Sequence, residues 1–313
     1  MPLGRRRAGK KPSEDRRNIS FLVYGQTGWI GGLVGRYLKE SCFEYNYGSG
    51  RLHDRASLER DIKFYEPTHI INAAGLTGRP NVDWCESHKR EVVQTNVLGV
   101  LNLVDVAKTR ELHVTNFATG CIYNYDDVQT VSGAGFSETD VPNFTGSYYS
   151  KTKVIVEELL KEYDNVLQLR LRMPIDENLQ NPRNFIHKIA TYSKVVNVPN
   201  SMSVLTELVP LAVQAAVRGL TGTYNFTNPG VISHNEVLEL YKKYCDNDFT
   251  WVNFSLAEQS QVLAAPRSNN RLNTSKLEKE FPGLLDVKTS LVKHVFEVNK
   301  GVKIRRCDGK SIP

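Results

Sequence analysis

Ile19-Ser-Phe-Leu-Val-Tyr24 runs directly into Gly25-Gln-Thr-Gly28-Trp-Ile-Gly31-Gly. A short apolar run that stops at a glycine-rich turn is the pattern of a buried parallel strand. The amphipathic segment from Leu33 to Glu40 follows and is expected to be a helix. Strand, glycine turn and helix in that order open a dinucleotide-binding βαβ unit. The glycines have separate tasks: a tight turn, close approach of backbone to a pyrophosphate, and close packing of helix on sheet. Gly25, Gln26, Thr27, Gly28, Trp29, Ile30 and Gly31 are therefore candidate cofactor-binding residues, with the spacing G-x-x-G-x-x-G.

Further along, Phe43-Glu-Tyr-Asn-Tyr47 is the expected second strand, followed by Gly48-Ser-Gly50-Arg51. In NAD-selective proteins an acid at that strand's end holds the ribose 2′-hydroxyl. No acid stands there in this chain, and the guanidinium of Arg51 suits the 2′-phosphate of NADP. The cofactor is therefore expected to be NADPH, with Arg55 as a second candidate for the phosphate. His69-Ile-Ile-Asn72-Ala-Ala-Gly75 is another strand, and its small end admits a flat cofactor against Asn72, Ala73, Ala74 and Gly75. Further strands are expected at 114–118, 166–171 and near Tyr224. Helices are expected at 91–108, 150–162, 184–192, 207–218, 234–244, within 253–262, and at 274–281. Residues 124–147 make a loop long enough to suggest a functional one.

This layout is α/β, a doubly wound, mostly parallel sheet of Rossmann type. Its cofactor-binding domain spans 19–175. A smaller C-terminal substrate lobe spans 176–300, and its chain is free to cross back to the sheet. A basic tail (1–18) and a short end (301–313) flank them. Ligands of such sheets lie in the crevice at the C-terminal ends of the strands. Thr119 ends one strand there, and Tyr149-Ser-Lys-Thr-Lys153 starts a helix beside it. Residues four apart share a helix face. A hydroxyl donor, a phenol and a lysine are the set a ketone reductase needs. Tyr149 protonates the carbonyl oxygen as hydride reaches the carbon, Thr119 polarises that oxygen, and Lys153 lowers the phenol's pKa and can hold the nicotinamide ribose.

Composition narrows the classes. Of a net charge of +6, residues 1–17 contribute +5, with seven Lys/Arg against Glu14 and Asp15. The nearly neutral body argues against nucleic acid as partner. The tail is expected to be disordered, either a targeting or anionic-surface element or a tolerated extension. No apolar run reaches the ~18 residues of a membrane span, and no signal core follows the start. Cys42, Cys85, Cys121, Cys245 and Cys307 are odd in number and lack C-x-x-C spacing. That favours reduced thiols in the cytoplasm, with no zinc or disulfide framework. No metal is expected, since the histidines outside the candidate site have no ligand spacing.

The glycine turn, Asn72-Ala-Ala-Gly75, Thr119 and Tyr149-x-x-x-Lys153 together resemble the extended short-chain dehydrogenase/reductase superfamily. Longer stretches narrow this further: Gly78-Arg-Pro-Asn-Val-Asp-Trp-Cys-Glu86, Ala118-Thr-Gly-Cys-Ile122, Pro142-Asn-Phe-Thr-Gly-Ser147, Asn181-Pro-Arg-Asn-Phe-Ile186 and Ala265-Pro-Arg-Ser-Asn-Asn270. From about Ile19 to Asn299 the chain is similar to the plant and fungal nucleotide-rhamnose synthase/epimerase-reductases, and more distantly to dTDP-4-dehydrorhamnose reductases.

The resemblance implies NADPH-dependent conversion of UDP-4-keto-6-deoxy-glucose to UDP-β-L-rhamnose, with a separate 4,6-dehydratase supplying that substrate. Inverting C3 and C5 asks for an acid/base pair besides Tyr149, and the resemblance places it at Cys121 and Lys188, with His187 as a rival to Lys188. It implies a sugar pocket lined by Asp83, Trp84 and Cys85. It also implies a diphosphate contact from Asn184, with Arg267 beside it or toward the uridine, and lesser substrate contacts from Asn143 and Asn269. Paired-helix homodimers are common in the superfamily. Two other readings stand beside this one: a 4-reductase without epimerase activity, and a non-catalytic NADP-binding regulatory subunit.

Overall fold

The computed structural model describes residues 19–79 and 81–305. The basic tail, Cys307 and the last residues of the expected C-terminal end lie outside the described residues. One sheet carries β1 (Ser20–Tyr24), β2 (Glu44–Tyr47), β3 (His69–Asn72), β4 (His113–Thr119), β5 (Val166–Leu171) and β6 (Gly222–Asn225). Their order is β2-β1-β3-β4-β5-β6, and every pairing is parallel. The register aligns Tyr24 with Asn72 and Asn72 with Asn116, and β4 continues past them to Thr119. The candidate residues therefore emerge at one edge of the sheet.

Alternation along β1 explains the layers. Phe21 and Val23 face one side, with the helices Trp29–Glu40 and Leu205–Val217 packed over them through Val34, Leu38, Leu208 and Val213. Leu22 and Tyr24 face the other, toward Leu58, Leu103, Val104 and Val156 from the helices Arg55–Tyr65, Gly99–Lys108 and Tyr148–Leu160. Each such buried aliphatic side chain stabilises the fold by about 1.5–3 kcal/mol. A third core gathers Ile175, Ile186, Ile189, Leu238, Tyr241, Leu291 and Phe296 from the C-terminal part of the chain. Leu205–Val217, β6 and Leu277, from within the same stretch, pack instead with the core beside β1.

Two elements went beyond what the sequence pattern suggested. The helix Arg55–Tyr65 starts at Asp54, whose side chain accepts from the Ser57 amide. Its apolar stripe is short, and its buried Asp61 faces inward. That carboxylate accepts from Ser49 Oγ (2.9 Å), the Gly50 amide (2.7 Å) and Tyr24 Oη (3.3 Å), and so fixes the loop after β2. The expected helix over 91–108 is present from Lys89 but broken by a π-helical turn, Gln94–Leu98. Asn96 in that turn holds Leu76 N and O, both at 2.8 Å, and fixes the loop after β3. Segments inserted into helices this way often sit at functional sites.

Histidines that are buried (His234) or partly buried (His69 and His113) make the fold acid-sensitive. Burial pushes His69 from its ordinary 6.5 down to about 4, with His113 nearby adding to the effect. Burial likewise takes His234 down to about 4, and lowers His113. These groups are neutral when folded, and the unfolded chain binds more protons below about pH 6.5. Their contribution to stability is complete above that pH and is lost as pH falls toward 4. The melting temperature is expected to drop over this window, and to drop less steeply in His69→Gln. Identical slopes for the two proteins would remove His69 from the account.

Candidate active site

The strand ends open onto a cleft of about 1240 Å³. Its floor is the glycine turn. Gly25 has φ +101°, and a Cβ there would sit 2.7 Å from the Ala73 carbonyl carbon. A Cβ on Gly31 would sit 2.1 Å from Gly25 O, so Gly31 packs beneath the turn while residues 25–30 line the cleft. Gly28 N donates to Gly25 O at 2.8 Å, and no side chain caps the helix Trp29–Glu40 that follows. Its first amides and the positive end of its dipole are left for an anion. Ala73, Ala74, Gly75 and Arg51 also line the cleft. The bare backbone, open helix end and small residues fit a dinucleotide. Asn72 lies outside the cleft lining: it is buried, donates to Asn116 Oδ1 (2.9 Å) and accepts from Ala74 N (3.1 Å). Its amide shapes the turn. Arg55 is engaged elsewhere, with Asp105 at 2.6 Å and Glu59 at 3.1 Å. Arg51 has no ion pair among the described residues.

Thr119, Tyr149 and Lys153 stand on the adjoining wall. The helix Tyr148–Leu160 begins two residues before the expected start, because three groups pin its first turn. Ser147 Oγ accepts from Ser150 N (3.1 Å), Glu86 Oε1 accepts from Tyr148 N (2.7 Å), and Ser150 Oγ donates to Cys121 O (2.6 Å). Tyr149 and Lys153 are each 7% exposed. Lys153 Nζ lies 5.9 Å from the Tyr149 ring centre. Burial raises the Tyr149 phenol above its ordinary range, the nearby Cys121 adds to the rise, and a hydrogen bond with Thr119 opposes it. Burial also takes Lys153 down to about 8, against the pull of Glu157. Burial sets the direction for the phenol, and the influence that lowers it comes from Thr119 and not from Lys153 as expected. The phenol keeps its proton, which is the state an acid needs.

Cys121 and Lys188 meet the same cleft. The Cys121 amide donates to Thr119 Oγ1 (3.1 Å), and its Sγ accepts from Arg172 Nη1 (3.3 Å). Lys188 stands on the helix Phe185–Thr191. Burial and the charges of Arg183 and Arg267 lower its pKa. His187 does not line the cleft, and its Nδ1 lies 2.9 Å from Leu179 O. Of the two rivals, only Lys188 faces the ligand space.

Several expected substrate contacts lie elsewhere. Asn184 is fully buried, donates to Asp176 O (2.9 Å) and Asp176 Oδ1 (3.1 Å), and caps its helix by accepting from Ile186 N (3.1 Å). No group of its side chain is left for a diphosphate. Asp83, Trp84 and Cys85 are absent from the lining. Asp83 pairs with Arg267 (2.7 Å), Trp84 stacks on His88 at 3.8 Å, and Cys85 is buried behind Tyr149 with its thiol raised to about 11, mainly by burial. Asn143 bridges Asn124 and Asp126 away from the cleft. Arg267 and Asn269 do line it.

The cleft also contains residues the sequence reading passed over: Arg172, Arg183, Phe185, Tyr192 and His234. Arg183 feels the charge of Arg79 as Lys188 feels those of Arg183 and Arg267, so positive charge gathers at one end. Met173, beside Arg172, has φ +39°, a left-handed conformation rare for its type. That outlier marks the site, but φ cannot be read from sequence. Among the described residues no cluster of His, Cys, Asp and Glu is arranged to hold a metal ion, and no helix is long and apolar enough to cross a membrane.

Comparison with known proteins agrees with this geometry. The model of the NAD dependent epimerase/dehydratase family matches residues 21–193. A bifunctional dTDP-4-dehydrorhamnose 3,5-epimerase/dTDP-4-dehydrorhamnose reductase of Arabidopsis thaliana is 58% identical over 289 residues, covering 92% of this chain and 96% of that protein. A trifunctional UDP-glucose 4,6-dehydratase/UDP-4-keto-6-deoxy-D-glucose 3,5-epimerase/UDP-4-keto-L-rhamnose-reductase of the same plant is 59% identical over 289 residues, 92% of this chain. The chain spans 44% of that protein's length. The crystal structure of the L780 UDP-rhamnose synthase from Acanthamoeba polyphaga mimivirus has a TM-score of 0.84 at 38% identity, covering 88% of this chain and 97% of that one.

Proposed function

Since the chain belongs to the NAD dependent epimerase/dehydratase family, we propose that its cleft converts UDP-4-keto-6-deoxy-glucose to UDP-β-L-rhamnose by 3,5-epimerisation followed by 4-reduction. The observation that carries this is the presence of two acid–base sets on one cleft: Thr119, Tyr149 and Lys153, and beside them Cys121 and Lys188. Reduction needs only the first set.

The C4 ketone acidifies the hydrogens on C3 and C5. Cys121, as thiolate, takes one of them: the C–H bond breaks, S–H forms, and the electron pair moves to the C4 oxygen. Thr119 and Tyr149 hold that oxygen by hydrogen bonds. The Lys188 ammonium returns a proton to the carbon's other face, and exchange with water resets both groups. A bound reduced NADP supplies hydride to C4. Tyr149 then donates its proton to the C4 oxygen, and the Lys153 ammonium stabilises the phenolate left behind. Arg183 and Arg267 are suited to the substrate diphosphate, in the place expected of Asn184. A 4,6-dehydratase step must come before this chemistry, and that activity is named in the trifunctional relative.

The test is incubation with NADPH and either UDP- or dTDP-4-keto-6-deoxy-glucose, with the product sugar identified by NMR. UDP-rhamnose formed faster than its dTDP counterpart supports the proposal, and a 6-deoxy sugar with C3 and C5 unchanged contradicts it. Arg51 carries the preference for NADPH. Arg51→Ala should weaken NADPH by about tenfold or more, the worth of a charge-assisted hydrogen bond, and leave NADH nearly unchanged. Equal losses for the two would sink the assignment of the 2′-phosphate.

A further inference from the structure

Behind Cys121 stands a cation with no counter-charge. Arg172 is 1% exposed. Its side chain donates to neutral acceptors only: Nη1 to Cys121 Sγ (3.3 Å) and Ser268 Oγ (2.8 Å), Nη2 to Ser268 O (3.1 Å) and Asn200 Oδ1. Its Nε has no partner. Among the described residues no carboxylate pairs with it. The other buried arginine at the end of β5 is a contrast: Arg170 bonds Glu157 at 2.5 Å. Taking a guanidinium out of water without an anion is costly, and an anion formed beside it would offset that cost. The one neighbour able to supply an anion at Nη1 is the sulfur. Tyr149, Tyr125 and His234 also feel Cys121 or Arg172, and none of the three is an acid at neutral pH.

The chain is shaped around this contact. A Cβ on Gly120 would lie 2.6 Å from Leu272 Cδ1, 2.9 Å from Arg172 Cγ and 3.1 Å from Arg172 Cδ. The glycine between Thr119 and Cys121 thus leaves room for the arginine's stem. Directly after Arg172 the backbone turns through the strained Met173 at φ +39°.

We propose that Arg172 is the positioning cation of the epimerase thiolate, holding Cys121 Sγ toward the sugar and balancing its charge before and after each proton transfer. This rests on the reading of Cys121 as the base. When Cys121 takes the proton from carbon, the negative charge passes to the C4 oxygen at Thr119 and Tyr149, and Arg172 is left beside a neutral thiol. Loss of that proton to solvent restores the pair. No oxidant or further reactant is needed.

The test is alkylation of Cys121 by iodoacetamide in the full chain, read by mass spectrometry of its own peptide across a pH series. In Arg172→Met the midpoint should rise by about one pH unit or more, an alkylation about tenfold slower at neutral pH. Arg172→Lys keeps the charge and should shift it less. If Arg172→Met does not fold, Gly120→Ala and Ser268→Ala, which displace or loosen the guanidinium without removing it, should shift the midpoint in the same direction. An unchanged midpoint in every folded variant overturns the proposal. Solvent-deuterium exchange into the substrate separates the two levels. Exchange that survives Cys121→Ala overturns the reading of Cys121. Exchange lost in Cys121→Ala, with the alkylation profile of Arg172→Met unmoved, overturns the role of Arg172 alone.

Discussion

Replacement of Tyr149 by phenylalanine is expected to cut the reduction rate by about 10²–10⁴, the usual worth of a positioned general acid. The phenol is 7% exposed, and Thr119 orients it. Phenylalanine keeps the ring and its packing against Cys85 and Val92, so the fold should be preserved. What disappears is the proton donor, and no other group beside Thr119 can replace it, since a threonine hydroxyl is far too weak an acid. Single-turnover oxidation of NADPH, followed by fluorescence, reads the loss. The same variant should still exchange C3 and C5 hydrogens with solvent, more slowly because one of the two hydrogen bonds to the enolate oxygen is gone. A variant that reduces at the parent's rate would remove Tyr149 from the mechanism, and would revive the regulatory-subunit reading.

The second large effect is expected at Cys121. Cys121→Ala should lower epimerisation by about 10²–10⁴, since proton abstraction from carbon then lacks its base. The side chain is small and half-buried, so the cost in stability should be minor. Cofactor binding should be unchanged, because the glycine turn follows β1, which β3 separates from β4. The reductase residues remain intact, so a 4-keto sugar already inverted at C3 and C5 should still be reduced. Measuring the variant on both the starting ketone and the inverted ketone separates the two halves. Equal losses on both substrates would contradict the division of labour.

The parts of this molecule that were legible in the sequence are those with local causes. The glycine turn, the parallel strands and the Tyr-Lys helix follow from spacing within a few residues, and all are present. Thr119, Tyr149, Lys153, Cys121 and Lys188 line one cleft: Thr119 and Cys121 at and just past the end of β4, Tyr149 and Lys153 on the first two turns of the helix Tyr148–Leu160, and Lys188 on the helix Phe185–Thr191. Besides Trp84 and Cys85, which lie outside the cleft lining, the expected contacts that the structure places elsewhere involve short polar side chains. Asn72, Asn143, Asn184 and Asp83 are each consumed by the backbone or by another side chain. Such residues serve as caps and turn locks as readily as ligands, and the choice depends on partners far away in the chain. Asp83 and Arg267 meet across 184 residues. Arg172 went unnoticed for the same reason: its partners are Cys121, Asn200 and Ser268, three separate segments. Asp61 and Asn96 are polar residues on the inward faces of helices, where periodicity expects apolar side chains.

The account turns on two acid–base sets working in one cleft, and one measurement addresses that directly. Tyr149→Phe is incubated in D₂O with UDP-4-keto-6-deoxy-glucose and oxidised cofactor, so that no hydride is available, and the sugar is analysed by mass spectrometry and NMR. Deuterium at both C3 and C5, lost when Cys121→Ala is added, is the result expected. A ketone recovered without deuterium, from a protein whose parent still reduces it, would contradict the account and leave a reductase alone.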